Sequence, residues 1–162
     1  MTTEDGSRSA VALAPIGVVR GGREAAEDDQ WAGVEAVIEI DAARFDPSAV
    51  AGLQDFSHLE VVYLFHLVDE STVNVGARRP RGNPEWPEVG IFAQRAKARP
   101  NRLGVSRCRL LGVDGLRLVV ADLDAIDGTP VLDVKPWMDE FAPREPTRQP
   151  QWSRELMRDY YA

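Results

Sequence analysis

Two stretches of the chain gather side chains suited to binding and group transfer: GIFAQRAKARPNRLGVS from Gly90 to Ser106, and LDAIDGTPVLDVKP from Leu123 to Pro136. The first interleaves Arg95, Arg99 and Arg102 with Pro100, Asn101 and Gly104 in one compact loop. A guanidinium there can grip a carboxylate or phosphate through two parallel hydrogen bonds. The second offers Asp124 and Asp127, carboxylates able to accept from hydroxyl or amine donors or, as a pair, to exchange a proton. Taken alone, Asp127-Gly128 is a turn. A third stretch, FSHLEVVYLFH from Phe56 to His66, ends an apolar run on a histidine. By default His66 is a hydrogen-bonded structural residue, and in a site it is a candidate base.

Charge is unevenly spread. The chain carries a net charge of -7, which opposes contact with nucleic-acid phosphates at long range. Between Arg78 and Arg109, however, lie Arg79, Arg81, Arg95, Lys97, Arg99, Arg102 and Arg107, opposed only by Glu85 and Glu88. This basic island reads either as a solvated face with ion pairs or as a site for a polyanion or carboxylate, and the loop around Asn101 favours the second. With one cysteine, Cys108, and two histidines, no metal-ligand cluster of N and S donors is expected, and no internal disulfide can form. Cys108 lies in an alternating segment and reads as a small strand residue. No run approaches the ~18 to 20 apolar residues of a membrane-spanning helix, and the acidic start MTTEDGSRSA lacks the features of a secretory signal. These features lead us to expect a cytoplasmic protein.

The elements that must position these groups are mostly short strands. A length of 162 residues suits a single domain. We expect it over residues 13–162, after a disordered polar tail over 1–12. PIGVVR after Pro15 reads as a strand, as does the alternation of Val34, Ala36, Ile38 and Ile40. Asp46 and Pro47 mark the cap and first position of a brief helical turn. Leu59 to Leu67 suits a central strand covered on both sides, Ser71 to Pro87 an exposed loop, and Val89 to Ala93 a return to the sheet. Val105 to Val113 and Leu116 to Leu123 flank Asp114-Gly115, a type I′ hairpin signal. Val131 to Val134 is a further strand. From Pro150 a helix sets Trp152, Leu156 and Tyr160 on one face, expected to cover the sheet. Many short strands with little helix argue for an antiparallel barrel or sandwich. No strand followed by G-x-G-x-x-G and a helix is present, so a Rossmann cofactor site is not indicated.

Together GIFAQR, RPNRLG, FSHLEVVYLFH and LDAIDGTPVLDVKP resemble the TrmO family, also called TsaA-like proteins, over most of residues 15 to 140. The resemblance implies a compact antiparallel β-barrel, S-adenosylmethionine as cofactor, and a homodimer with the cofactor near the subunit interface. Arg95 falls on the arginine of the family's GVFATR motif, Phe65-His66 on its Phe-His pair, and Leu123-Asp124 on its LDLVDGTPVLD segment. The resemblance thus assigns cofactor binding to Phe65, His66, Arg95, Leu123 and Asp124. His66 and Asp124 are the candidates for proton removal, and Arg99, Asn101, Arg102, Asp127 and Lys135 for substrate contact. The chain departs from the family pattern at Arg102, where RPNRLG replaces RPNPIG, and at Gly21 to Trp31, where EDDQW stands in place of an Arg-Gln-Pro motif.

The activity implied is methylation of N6 of a threonylcarbamoyl-modified adenosine beside the tRNA anticodon. A small-molecule methyl acceptor is the second reading, and a non-catalytic cofactor-binding module the third.

Overall fold

The computed structural model describes residues 9–162, so the tail expected over residues 1–12 lies largely outside the described residues. Eight strands follow in order: β1 (Gly17–Arg20), β2 (Glu35–Ile40), β3 (His58–Leu64), β4 (Ala77–Arg78), β5 (Val89–Gly90), β6 (Leu103–Asp114), β7 (Arg117–Ala121) and β8 (Pro130–Pro136). One helix, α1 (Gln151–Leu156), comes after them. Six strands close into a barrel in the order β1-β2-β7-β6-β3-β8, while β4 and β5 form a separate two-stranded sheet. Every neighbouring pair in the barrel is antiparallel.

Alternation builds this barrel. Ala36, Ile38 and Ile40 on β2, Leu59, Val61 and Tyr63 on β3, and Leu118 and Val120 on β7 all point into one core. Each fully buried leucine or isoleucine there contributes ~1.5 to 3 kcal/mol. Closure falls to the short strand β1. Its pairing with β8 is extended past the ladder by Val19 N–H donating to Thr129 O at 2.9 Å and Gly128 N–H donating to Val19 O at 2.8 Å.

One cross-strand pair sets up the chemistry. Tyr63 sits opposite Gly104, and a Cβ at Gly104 would lie 2.5 Å from the tyrosine ring. The missing side chain makes room for the phenol to lie across β6 and reach the end of the barrel.

Several expected elements differ in detail. β3 alternates between buried and half-buried residues because it is a barrel strand with one face inward, so it is not covered on both sides as its apolar run suggested. It stops at Leu64. Val89 re-enters the small β4-β5 sheet, not the barrel. In the β6-β7 hairpin Asp114 pairs with Arg117, so the loop is Gly115-Leu116, one residue later than expected. Gly115 has φ 58 and Leu116 is not left-handed, which excludes a type I′ turn, since that type needs both. The segment Ser71 to Pro87 holds β4 and two 3-10 turns and buries Pro80.

Candidate functional site

Where β3 and β7 run out, at the same mouth of the barrel, several polar groups converge. β3 carries a register shift between Val62 and Tyr63, the kind of irregularity that re-aims a side chain. β7 ends at Ala121, and Asp122 turns the chain with φ 68. Its Oδ1 accepts from Gly33 N–H at 2.7 Å and its Oδ2 from Arg109 Nε at 2.6 Å. That turn drops Leu123 into the core and leaves Asp124 half-buried. The Leu123 side chain is thus part of the barrel packing.

Asp124 is the centre of the cluster. Tyr63 Oη donates to its backbone carbonyl and to Oδ1, each at 3.1 Å, and Tyr160 Oη donates to Oδ2. Burial, reinforced by the Asp124 charge, pushes both phenols well above the ordinary tyrosine range, so they remain protonated donors. Tyr161 packs edge-on against Tyr160 at 5.0 Å, and burial pushes its hydroxyl up to about 12. The Arg95 guanidinium acts in the opposite direction on both of these phenols, and its Nη2 donates to Val105 O at 2.9 Å. Ser106 Oγ is buried and, among the described residues, without a hydrogen bond of normal geometry, although it lies near enough to the Tyr161 hydroxyl to influence it.

Phe65 continues this wall, its ring edge-on to Tyr63 at 5.3 Å and its N–H donating to Arg102 O at 2.8 Å. His66 is half-buried, with Nε2 3.8 Å from where a Cβ on Gly128 would stand. Among the described residues no hydrogen bond reaches its ring. The rim is knitted from distant segments. Gln30 and Trp31 donate their N–H groups to Asp159 O and Tyr160 O at 2.9 and 2.8 Å, Arg23 stacks over Trp31 at 4.5 Å, and Trp86 Nε1 donates to Glu155 at 2.8 Å.

The other candidates have different surroundings. Asp127 Oδ1 accepts from Gly21 N–H at 2.8 Å and fixes the loop after β1, so it does not form an acid pair with Asp124. Arg99 donates to Gln94 O at 2.7 Å, and Arg102 to Val68 O at 2.7 Å and Glu70 at 2.9 Å. Asn101 is exposed. Lys135 pairs with Asp133 at 2.6 Å and faces Glu60 on β3, whereas Val131 faces Tyr63. Four residues of strand, about 13 Å, separate it from the Asp124 mouth. A cavity of about 450 Å³ at that far mouth is lined by Ile16, Phe45, Leu53, Leu118 and Val134, and none of the Asp124 cluster borders it.

The basic island is largely committed inside the protein. Arg79 donates to Trp86 O, Arg81 to Asp29, Arg107 to Glu60 and Arg109 to Asp122. Arg78 stands apart, its Nε buried and, among the described residues, unpartnered. Sequence reasoning missed Tyr63, Ser106, Tyr160 and Tyr161 as site residues. The only trace of the last two was the helical spacing of Tyr160 with Leu156 and Trp152.

Residues 26–143 match the model of the tRNA-methyltransferase O N-terminal domain. A probable S-adenosyl-L-methionine-binding protein of Methanothermobacter thermautotrophicus is 37% identical over 135 residues, covering 81% of this chain and 93% of its own length. The tRNA (adenine(37)-N6)-methyltransferase of Escherichia coli is 41% identical over 96 residues, covering 56% of this chain and 40% of its own. The chain thus spans about two fifths of that bacterial relative. A crystal structure of TrmO from Pseudomonas aeruginosa superposes with a TM-score of 0.73 at 26% identity, over 91% of this chain and 64% of that one.

Proposed function

The chain belongs to the family of the tRNA-methyltransferase O N-terminal domain, and from that premise we propose that it is an S-adenosylmethionine-dependent methyltransferase acting on N6 of a threonylcarbamoyl-modified adenosine in tRNA. The observation that carries this reading is the Asp124 cluster at one mouth of the barrel, with Phe65 packed on Tyr63 and Arg95 within electrostatic reach of Tyr160, on segments shared with the family.

The donor set fits the cofactor. S-adenosylmethionine carries a carboxylate, an ammonium, ribose hydroxyls and an adenine, and when bound it supplies an activated methyl group. Arg95 has nitrogens beyond the one used by Val105 O, enough to hold a carboxylate. Each Asp124 oxygen accepts a phenol and keeps a lone pair for a hydroxyl or ammonium donor. The exposed ring of Tyr161 and the half-buried ring of Phe65 offer apolar faces for a heterocycle.

Methylation of a urea-like nitrogen requires its proton to leave. With both Asp124 oxygens engaged by phenols, the proton acceptor on this reading is His66, whose ring is unengaged. Positioning the acceptor nitrogen supplies most of the rest.

For the tRNA side, with Arg95 assigned to the cofactor, the committed arginines leave Arg78 and Lys97 to meet phosphates or the threonyl carboxylate. We further propose a homodimer. Val75 and Phe92, 81% and 78% exposed, flank the Ala77–Gly90 pair in the chain and offer apolar side chains suited to contact with a second copy. A small-molecule acceptor remains the alternative, and the acidic net charge favours it. Transfer of label from methyl-labelled S-adenosylmethionine to tRNA bearing the threonylcarbamoyl group, and not to tRNA lacking it, tests the proposal. No labelling of either would contradict it.

A further inference from the structure

We propose that Tyr160 is a positioning residue of the methyl-transfer site, locking the Asp124 carboxylate jointly with Tyr63, so that the segment following α1 is a wall of the site and not merely a cover for the sheet. The inference rests on the reading of Asp124 as an acceptor for a donor group of S-adenosylmethionine.

An aspartate side chain turns about two bonds. Tyr63 engages only Oδ1 and leaves the carboxylate free to swing about that contact. Tyr160 takes Oδ2 from a different part of the chain, so both oxygens are held and the carboxylate plane is fixed. The lone pairs not taken by phenols then keep a constant direction, which is what a precise ligand contact requires.

The placement of Tyr160 is itself anchored. The carbonyls of Asp159 and Tyr160 are bonded by the N–H groups of Gln30 and Trp31, and Trp31 is 3% exposed. One turn earlier, Glu155 accepts from Trp86 Nε1 and from Gln151 Nε2, both at 2.8 Å. Tyr161 packs edge-on against the ring of Tyr160, with centroids 5.0 Å apart. A plug that must leave before a ligand enters would not be tied at so many points. Burial, with the Asp124 charge beside it, raises the Tyr160 hydroxyl above the ordinary tyrosine range, which favours its role as a donor.

The test is Tyr160→Phe, which removes one oxygen and keeps the ring and every backbone bond. Calorimetric titration with S-adenosylmethionine should show affinity weakened about three- to thirtyfold, because only part of a hydrogen bond to a charged group, worth roughly ten- to a hundredfold in full, is transmitted to the ligand. A double-mutant cycle with Asp124→Ala separates positioning from general structure. If Tyr160 acts through Asp124, its effect disappears in the Asp124→Ala background. An equal effect in both backgrounds overturns the proposal, as does unchanged affinity in the single variant. Tighter binding would also overturn it, identifying the hydroxyl as a competitor for the site. The underlying reading fails separately: wild-type protein that does not bind S-adenosylmethionine, or Asp124→Ala protein that binds it normally, removes the premise and this inference with it.

Discussion

The Tyr63 hydroxyl stands 3.1 Å from both the backbone carbonyl and the Oδ1 oxygen of Asp124, joining the inside of the barrel to the chain segment that leaves β7. The contact exists because Gly104, opposite Tyr63, has no side chain. Gly104→Ala should therefore displace the ring, cost ~1 to 3 kcal/mol as overpacking does, and weaken cofactor binding in the same protein. Urea denaturation and calorimetry would check the two effects. Wild-type values in both would show that the ring has room to move without consequence.

Arg95 acts electrostatically on Tyr160 and Tyr161, and among the described residues it makes one hydrogen bond to the protein, that to Val105 O. Arg95→Ala should leave the melting temperature within a few degrees while reducing S-adenosylmethionine affinity at least about tenfold, since charge-assisted pairs are worth ~1.5 to 3 kcal/mol. Undiminished affinity would place the methionine carboxylate elsewhere.

Asp122 gives a pH-dependent contribution to stability. The hydrogen bond from Arg109, helped by Gly33 N–H and opposed by burial, holds its carboxyl below the usual 3.8. A lowered folded-state value means that the contribution is present above 3.8 and disappears as pH falls through that lowered value. Asp122→Asn keeps an oxygen for Gly33 and tolerates the left-handed backbone, so it tests the charge. Because the pair is solvent-screened, we expect a loss of about 1 kcal/mol at neutral pH. The variant and wild type should converge in strongly acidic solution. A difference that persists there would assign the effect to packing.

The committed arginines bear on nucleic-acid binding. With Arg95 holding the cofactor and Arg78 and Lys97 as the island's free cations among the described residues, the logarithm of tRNA affinity should fall with the logarithm of salt concentration with a slope of about -1 to -2. If every arginine of the island met a phosphate the slope would be roughly -7, and a slope near zero would favour the small-molecule acceptor.

The features legible in the sequence are the local ones. The alternation over Ala36, Ile38 and Ile40 gives β2, and Asp46-Pro47 gives its capped turn, with the Asp46 side chain accepting from Ser48 N–H. The strand-rich pattern allowed barrel or sandwich, and closure depends on Val19, Gly128 and Thr129 meeting across segments far apart in the chain. The Asp114-Gly115 signal located a hairpin but misplaced its loop, because a glycine serves equally as the first or second central residue. The site divides in the same way. Arg95, His66 and Asp124 lie in recognisable motifs, whereas the expected helix stops at Leu156 and Tyr160 reaches Asp124 only through the turns that follow it. The arginine island looked free because its acceptors, Val68 O, Gln94 O and Trp86 O among them, are backbone carbonyls that no composition reveals.

The most direct measurement is calorimetric titration of the purified protein with S-adenosylmethionine, followed in the same preparation by mass analysis of nucleosides from tRNA incubated with both. Saturable binding together with a new methylated threonylcarbamoyl adenosine is the expected result. Binding without that nucleoside would transfer the methyl acceptor to another class of molecule, and an absence of binding would contradict the assignment of the Asp124 mouth as a cofactor site.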